Sequence, residues 1–144
     1  MSGVLREIVA HTGRERKADP TFVISNYINH PRGVRCTVAT DEQQNVIGFQ
    51  SLLRAWPKNP YGVPLEWGII GTHITPHAHR RGVGSALFSA TRLAAETARL
   101  PKIDAYIGAD NEAALRYYEA IGFQTYRELD DVVQKAYTVQ SPIL

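Results

Sequence analysis

The stretch His79-Arg80-Arg81-Gly82-Val83-Gly84-Ser85-Ala86-Leu87 has the makings of a phosphate site. It follows an apolar run, Trp67 to Ile74, and opens a helix-like run ending near Leu100. A strand, a glycine turn and a helix N-terminus leave backbone N–H groups pointing outward, where the helix dipole favours an anion. Glycines admit a ligand close to the backbone, and Arg80 and Arg81 add positive charge. The pattern is not a P-loop, which needs a lysine and then Ser or Thr after its last glycine; here Ser85-Ala86-Leu87 follows. It is not a dinucleotide fingerprint either, which needs three glycines and an acidic residue about twenty positions on. The reading is a phosphorylated ligand other than ATP or NAD, with a bare strand-to-helix turn as its rival.

A second constellation lies in Asp110-Asn111-Glu112-Ala113-Ala114-Leu115-Arg116-Tyr117-Tyr118-Glu119-Ala120-Ile121-Gly122-Phe123. Asn111 and Tyr118 stand seven apart and so share one helix face. Asn111 can cap that helix or bond a ligand amide. Tyr118 can pack in a core or present its hydroxyl as a proton donor.

These residues need elements to position them. Val4, Leu5, Ile8 and Val9 have helical spacing within Gly3 to Thr12. Asp19-Pro20 reads as the start of a second helix, which runs through Phe22, Val23, Tyr27 and Ile28 and stops before Pro31. Val34 to Thr40 and Val46 to Leu53 read as an antiparallel hairpin across the polar link Asp41 to Asn45. Ala55 to Pro64, with three prolines, is a long loop; Leu65 to Ile74 is a strand whose Gly68 and Gly71 suggest a bulge or close backbone approach. A helix follows the glycine turn and ends at Pro101. Ile103 to Ile107 is a strand, Asn111 to Ile121 a helix, and Phe123 to Leu129 and Val132 to Val139 are paired strands. The expected fold is α/β: a mixed, mostly antiparallel central sheet with helices on both faces.

The chain of 144 residues is read as a single domain, residues 1–144. A hydrophobic content of 44% against 21% charged residues sets it among ordinary globular chains. A net charge of +2 is too weak to argue for nucleic acid. No apolar run approaches the roughly 20 residues of a membrane span, and residues 1–7 lack the apolar core of a signal peptide. Cytoplasmic location is the default. The one cysteine, Cys36, sits in an apolar run and reads as a strand residue rather than a nucleophile. His11, His30 and His77 have no metal-ligand spacing, so no metal is expected.

Together, the glycine turn and the later helix resemble the GCN5-related N-acetyltransferase superfamily. Its acetyl-CoA signature is Gln or Arg, two variable residues, Gly, one variable residue, then Gly or Ala, after a strand ending in an apolar residue, any residue and proline. This chain has Ile74-Thr75-Pro76, then His79-Arg80-Arg81-Gly82-Val83-Gly84. The family's later Asn, helical Tyr and Gly-Phe are met by Asn111, Tyr118 and Gly122-Phe123, and the likeness covers about residues 34–139. The resemblance implies that N–H groups of Arg81, Gly82, Val83, Gly84 and Ser85 hold the coenzyme A pyrophosphate. It implies that backbone near His73 and Ile74 pairs with the pantetheine arm, with a bulge there aiming an N–H at the thioester oxygen. Asn111 then contacts the pantetheine, and Tyr118 protonates the leaving thiolate. His79 departs from the signature's Gln or Arg. The chain also opens inside the family's first helix, near Gly3, so the first strand is missing or is supplied by another chain. A bare sheet edge is a liability, so either a homodimer or a trimmed edge is expected, the homodimer first.

The implied chemistry also needs a base, since an ammonium must lose a proton before it attacks. Glu66 and His73 are the candidates on the strand beside the acetyl group; their odd spacing lets at most one face the pocket unless a bulge intervenes. Trp56, Tyr61 and Trp67 are candidates to line the acceptor pocket, or they simply pack. Arg32, Arg35 or Arg54 could meet a substrate carboxylate. The reading is an acetyl-CoA-dependent N-acetyltransferase acting on a primary amine of a small molecule by direct attack. Trp67 to His73 looks loosely like the phosphinothricin type. The alternatives are a protein or peptide N-acetyltransferase and a non-catalytic acyl-CoA-binding module.

Overall fold

The strands form where β-branched and aromatic residues alternate between turn signals. A computed structural model describes residues 1–6, 27–78 and 82–139. It contains β1 (Gly33–Thr40), β2 (Val46–Arg54), β3 (Gly68–Ile74), β4 (Lys102–Gly108), β5 (Gln124–Glu128) and β6 (Val132–Thr138). They make one sheet in the order β1-β2-β3-β4-β6-β5. Only the β3–β4 pair is parallel; the other four pairs are antiparallel. Helix α1 (Val83–Thr97) carries the chain across from β3 to β4, and α2 (Glu112–Ala120) lies between β4 and β5.

Both helices cover one face. Phe88 and Ala95 of α1 and Tyr118 of α2 pack with Leu52, Ile70, Ile103, Ala105, Ile107 and Phe123 in the largest core cluster. Residues 2–6 are helical, and Val4 and Leu5 pack with Phe49 in a second cluster. Side chains alternate across a strand, so Phe49 belongs to the face opposite Leu52. The rest of the expected first helix, and most of the second, lies outside the described residues. Residues 27 and 28 are helical, and a turn follows at Pro31.

Three local details bear on function. Asp41 builds the β1–β2 turn, its Oδ1 accepting the N–H groups of Gln43 and Asn45, both at 2.9 Å. Asn59 organises the proline-rich loop: its side chain donates to the carbonyls of Trp56 and Val63 and accepts from the N–H groups of Tyr61 and Val63. The strand expected from Leu65 begins later, at Gly68. Trp67 N–H donates back to the Pro64 carbonyl, so residues 65–67 form a turn and Glu66 lies outside the strand.

The glycines of β3 serve close approach. A Cβ at Gly68 would stand 2.9 Å from Leu52 Cδ1, and one at Gly71 would stand 3.1 Å from Ser51 Oγ. The β2–β3 register runs one to one from Gly48↔Ile74 to Arg54↔Gly68, so the expected bulge is not there. Among the described residues no strand precedes β1, which is the edge strand on that side. No helix among them is long and apolar enough to cross a membrane, and none of their His, Cys, Asp and Glu side chains group as a metal site.

Candidate active site

The glycine turn has two different reasons for its two glycines. Gly82 sits at φ 76°, a left-handed conformation that disfavours a side chain, and the space where a Cβ would be is open. Gly84 is inside α1, where a Cβ would run into the ring of Tyr117. No side chain caps the helix N-terminus, and its first turn holds no acidic residue. The first-turn N–H groups therefore face outward in a positive end-potential, the setting an anion needs. Ser85 follows in that turn and is exposed. His79, Arg80 and Arg81 lie outside the described residues.

Next to this turn the sheet forks. Parallel pairing between β3 and β4 covers Gly68↔Ile103, Ile69↔Asp104 and Ile70↔Ala105, then stops. Beyond it, Gly71 to Ile74 stay paired with β2, while Tyr106 to Gly108 stay paired with β6. The Trp67 carbonyl and the Thr75 N–H both bond toward β2. Strand alternation then turns the backbone groups of Thr72 and Ile74 the other way, into the fork. The backbone of Ile74 thus faces the fork, that of His73 faces β2, and Thr72 is the neighbour whose backbone joins Ile74 at the fork.

The floor of the fork is a polar network that joins three elements. Gln50 Nε2 donates to Thr72 Oγ1 and to Tyr117 Oη, both at 2.9 Å. Tyr117 in turn donates to the Gly84 carbonyl at 2.8 Å. Thr72 Oγ1 and Tyr118 Oη are 2.8 Å apart. Burial pushes the Tyr117 hydroxyl up to about 12, against its bonds to Gln50 and Thr72. With one hydrogen already received from Gln50, Thr72 has its own proton to place. In the contact between Thr72 and Tyr118 either hydroxyl can donate to the other. The sequence singled out Tyr118, which is buried beside the fork. It missed Tyr117, Gln50 and Thr72. The adjacent tyrosines were the available signal for Tyr117; a strand glutamine and threonine carry none. Asn111 caps α2, its Oδ1 accepting the Ala114 N–H at 3.2 Å.

The expected base and acceptor residues separate in space. Glu66 is exposed in the turn before β3, at the opposite end of that strand from Ile74. His73 is buried on the opposite sheet face from Thr72, its ring 4.7 Å from Phe49 and 5.3 Å from Tyr27. Trp56, Tyr61 and Trp67 pack around Ala55, Val63 and Ile69 on that same face. Tyr61 lies edge-on to Tyr106, centroids 5.0 Å apart, and Trp67 lies 5.3 Å from Tyr126. These aromatics thus wall one face of the fork's closed end.

A profile of the acetyltransferase (GNAT) family matches residues 4–123. The chain belongs to that family. Mycothiol acetyltransferase of Mycobacterium avium (strain 104) is 31% identical over 122 residues, covering 78% of this chain and 35% of its own length. Phosphinothricin N-acetyltransferase of Streptomyces coelicolor is 32% identical over 108 residues, covering 71% of this chain and 61% of its own. The chain spans about a third of the first relative and under two thirds of the second. A solved structure described as a putative phosphinothricin N-acetyltransferase superposes with TM-score 0.73 at 18% identity, over 98% of this chain and 92% of that one. The mixed sheet with a parallel β3–β4 pair is thus a GNAT fold, and acetyl-CoA is the co-substrate of the GNAT signature read at residues 79–84.

Proposed function

We propose that the chain is an acetyl-CoA-dependent N-acetyltransferase that acetylates a primary amine of a small molecule by direct attack. The observation that carries this reading is the fork between β3 and β4, with an uncapped glycine turn at its mouth and Tyr118 at its floor. The residues fit the donor. Gly82 combines a left-handed backbone with open space. Gln50 Oε1 and Thr75 Oγ1 are buried with no partner among the described residues, so hydrogen-bonding capacity remains near a place where an amide-bearing arm can lie. Acetyl-CoA, when bound, supplies an activated thioester.

The chain's own groups do the rest. First-turn N–H groups of α1 hold phosphate, and the backbone of Thr72 and Ile74 aligns an extended arm as a strand would. A backbone N–H at the fork donates to the oxygen that becomes negative on attack. Tyr118 gives its proton to the leaving sulfur while Thr72 donates to the phenolic oxygen left behind. A small-molecule acceptor is supported by the names of the two curated relatives, which refer to small molecules, mycothiol and phosphinothricin. Pairing of two copies is part of the proposal, because β1 is an edge strand among the described residues, with Val38 47% exposed; a monomer mass in sedimentation equilibrium overturns that part.

The test measures acetyl-CoA binding and turnover separately. Acetyl-CoA at about 100 times its Kd should add about 2.7 kcal/mol of stability, and a primary-amine panel should release free thiol. Absence of stabilisation removes the donor assignment. Stabilisation with no thiol release from any amine favours a binding module.

A further inference from the structure

On the face of the sheet opposite Tyr118, a buried carboxylate stands at the closed end of the fork. Asp104 of β4 pairs with Ile69, one residue before the parallel ladder ends at Ala105. Ile69 belongs to the aromatic cluster with Trp56, Tyr61 and Trp67, whereas Ala105 belongs to the core under α1 and α2. Asp104 is completely buried. Tyr126 donates to its Oδ1 at 2.6 Å, and Gln134 Nε2 donates to the same oxygen at 2.9 Å. Oδ2 has no hydrogen-bond partner among the described residues.

Arg127, whose charge acts on this carboxyl, does not supply one. Arg127 directs Nε to Gln134 Oε1 at 2.6 Å and Nη2 to the carbonyls of Tyr61 and Gly62 at 2.8 and 3.2 Å. It ties the proline-rich loop to β5, and its charge acts on the carboxylate through space without a hydrogen bond to Oδ2. Tyr126, 39% exposed, runs from solvent to the carboxylate it bonds, and packs against Trp67. Tyr106, two residues along β4 and so on the same face as Asp104, is 40% exposed and packs against Tyr61. An unpaired carboxylate oxygen among aromatic faces is chemistry that selects an ammonium group.

We propose that Asp104 Oδ2 binds the acceptor's ammonium and takes its first proton. The inference rests on the N-acetyltransferase reading and names the base that reading lacks. In the step, the N–H bond of the ammonium breaks and Asp104 becomes the neutral acid. The free amine's lone pair forms the C–N bond to the thioester carbon. The C–S bond then breaks, and Tyr118 protonates the sulfur. The nitrogen's second proton restores Tyr118, and Asp104 returns its proton to solvent, so one proton is released per turnover. Burial raises the Asp104 carboxyl to about 6, against the lowering by Tyr126, Gln134 and Arg127. A base in that range remains ionised at neutral pH and accepts a proton readily.

The experiment compares the wild type with Asp104→Asn, which keeps an acceptor for Tyr126 and Gln134. The binding arm uses 2-phenylethylammonium and its neutral near-isostere 2-phenylethanol as thermal-shift probes. The wild type should be stabilised more by the ammonium, and the variant equally by both. The kinetic arm uses the panel's best amine. The variant should lose about 100-fold or more in kcat/KM and lose the acidic limb of its pH profile near 6. Its stabilisation by acetyl-CoA should be intact. Equal response of the wild type to both probes overturns the proposal, as does a variant with an unchanged pH profile. If Asp104→Asn also loses the acetyl-CoA response, Asp104→Glu provides the second variant: a structural role predicts no recovery of ammonium preference, and its recovery supports binding. Failure of acetyl-CoA to stabilise the wild type would overturn the parent reading instead, independently of the probe comparison.

Discussion

Replacing Thr72 by valine removes one oxygen at nearly constant volume and separates two effects that the network joins. In the folded protein, Gln50 is fully buried and donates to both Thr72 and Tyr117. The variant leaves one Gln50 N–H without its acceptor and Tyr118 without its 2.8 Å neighbour. A buried donor left unpaired costs about 1–2 kcal/mol, which lowers Tm by roughly 3–8 °C for a domain of this size. The catalytic effect is separate. In the proposed mechanism Tyr118 gives up its proton, the oxygen left behind is charged, and Thr72 is placed to donate to it. A hydrogen bond to a charged group contributes about 1.5–3 kcal/mol, or about 10- to 150-fold in turnover at 1.36 kcal/mol per tenfold. The assay is thiol release at saturating acetyl-CoA and amine, well below the variant's Tm. Thr72→Ser should restore most of the rate, since it restores the hydroxyl. A Thr72→Val enzyme that loses stability yet turns over at the wild-type rate would refute the role given to Thr72 in stabilising the Tyr118 oxygen.

The glycine turn gives a paired test. Gly82→Ala should cost about 1–2 kcal/mol through its left-handed backbone, while Gly84→Ala should cost about 1–3 kcal/mol by overpacking against Tyr117; chemical denaturation measures both. Gly84→Ala should also raise the acetyl-CoA Kd, because the Tyr117 bond to the Gly84 carbonyl must shift; titration calorimetry reads that change. Tyr118→Phe should abolish most thiol release while leaving acetyl-CoA affinity within about tenfold, since a neutral hydroxyl lost from binding is worth about 0.5–1.5 kcal/mol at most; wild-type turnover at every pH would remove the acid assignment. Asp104 makes stability fall with rising pH. Its folded carboxyl, raised from 3.8 to about 6, holds its proton more tightly than the unfolded chain does. That contribution is fully present below the unfolded value and is lost as pH rises through about 6. The stability difference, wild type minus Asp104→Asn, should therefore be about 2–3 kcal/mol more favourable at pH 3.5 than at pH 8. A pH-independent difference in denaturant midpoints contradicts it.

Much of the fold was legible because local signals agreed. The six strands fell within a few residues of their expected places, and the hairpin turn at Asp41 was visible in its polar link. The N-terminal end of β3 was misread because Leu65-Glu66-Trp67 looks like strand by composition, whereas Trp67 N–H folds back to Pro64. That difference removed Glu66 from the strand that carries the site. Of the two readings of Gly68 and Gly71, close approach holds and a bulge does not: they pack against Leu52 and Ser51, and the ladder with β2 is continuous.

The sequence by itself determined the glycine turn and the α2 face bearing Tyr118, because turn conformation and helical spacing are local properties written in consecutive residues. Those were enough to point to the family and to its donor. Tertiary structure decided which atoms meet at the fork. Gln50 lies 67 positions from Tyr117, and Thr72 lies 46 from Tyr118; Asp104 meets Gln134 across 30. Strand order and register bring these groups together, and no local pattern encodes that order. Whether a strand polar residue faces water, a ligand or a buried partner depends on what the rest of the chain packs against it. For Asp104, that packing turned an ordinary strand aspartate into a buried carboxylate with an oxygen to offer.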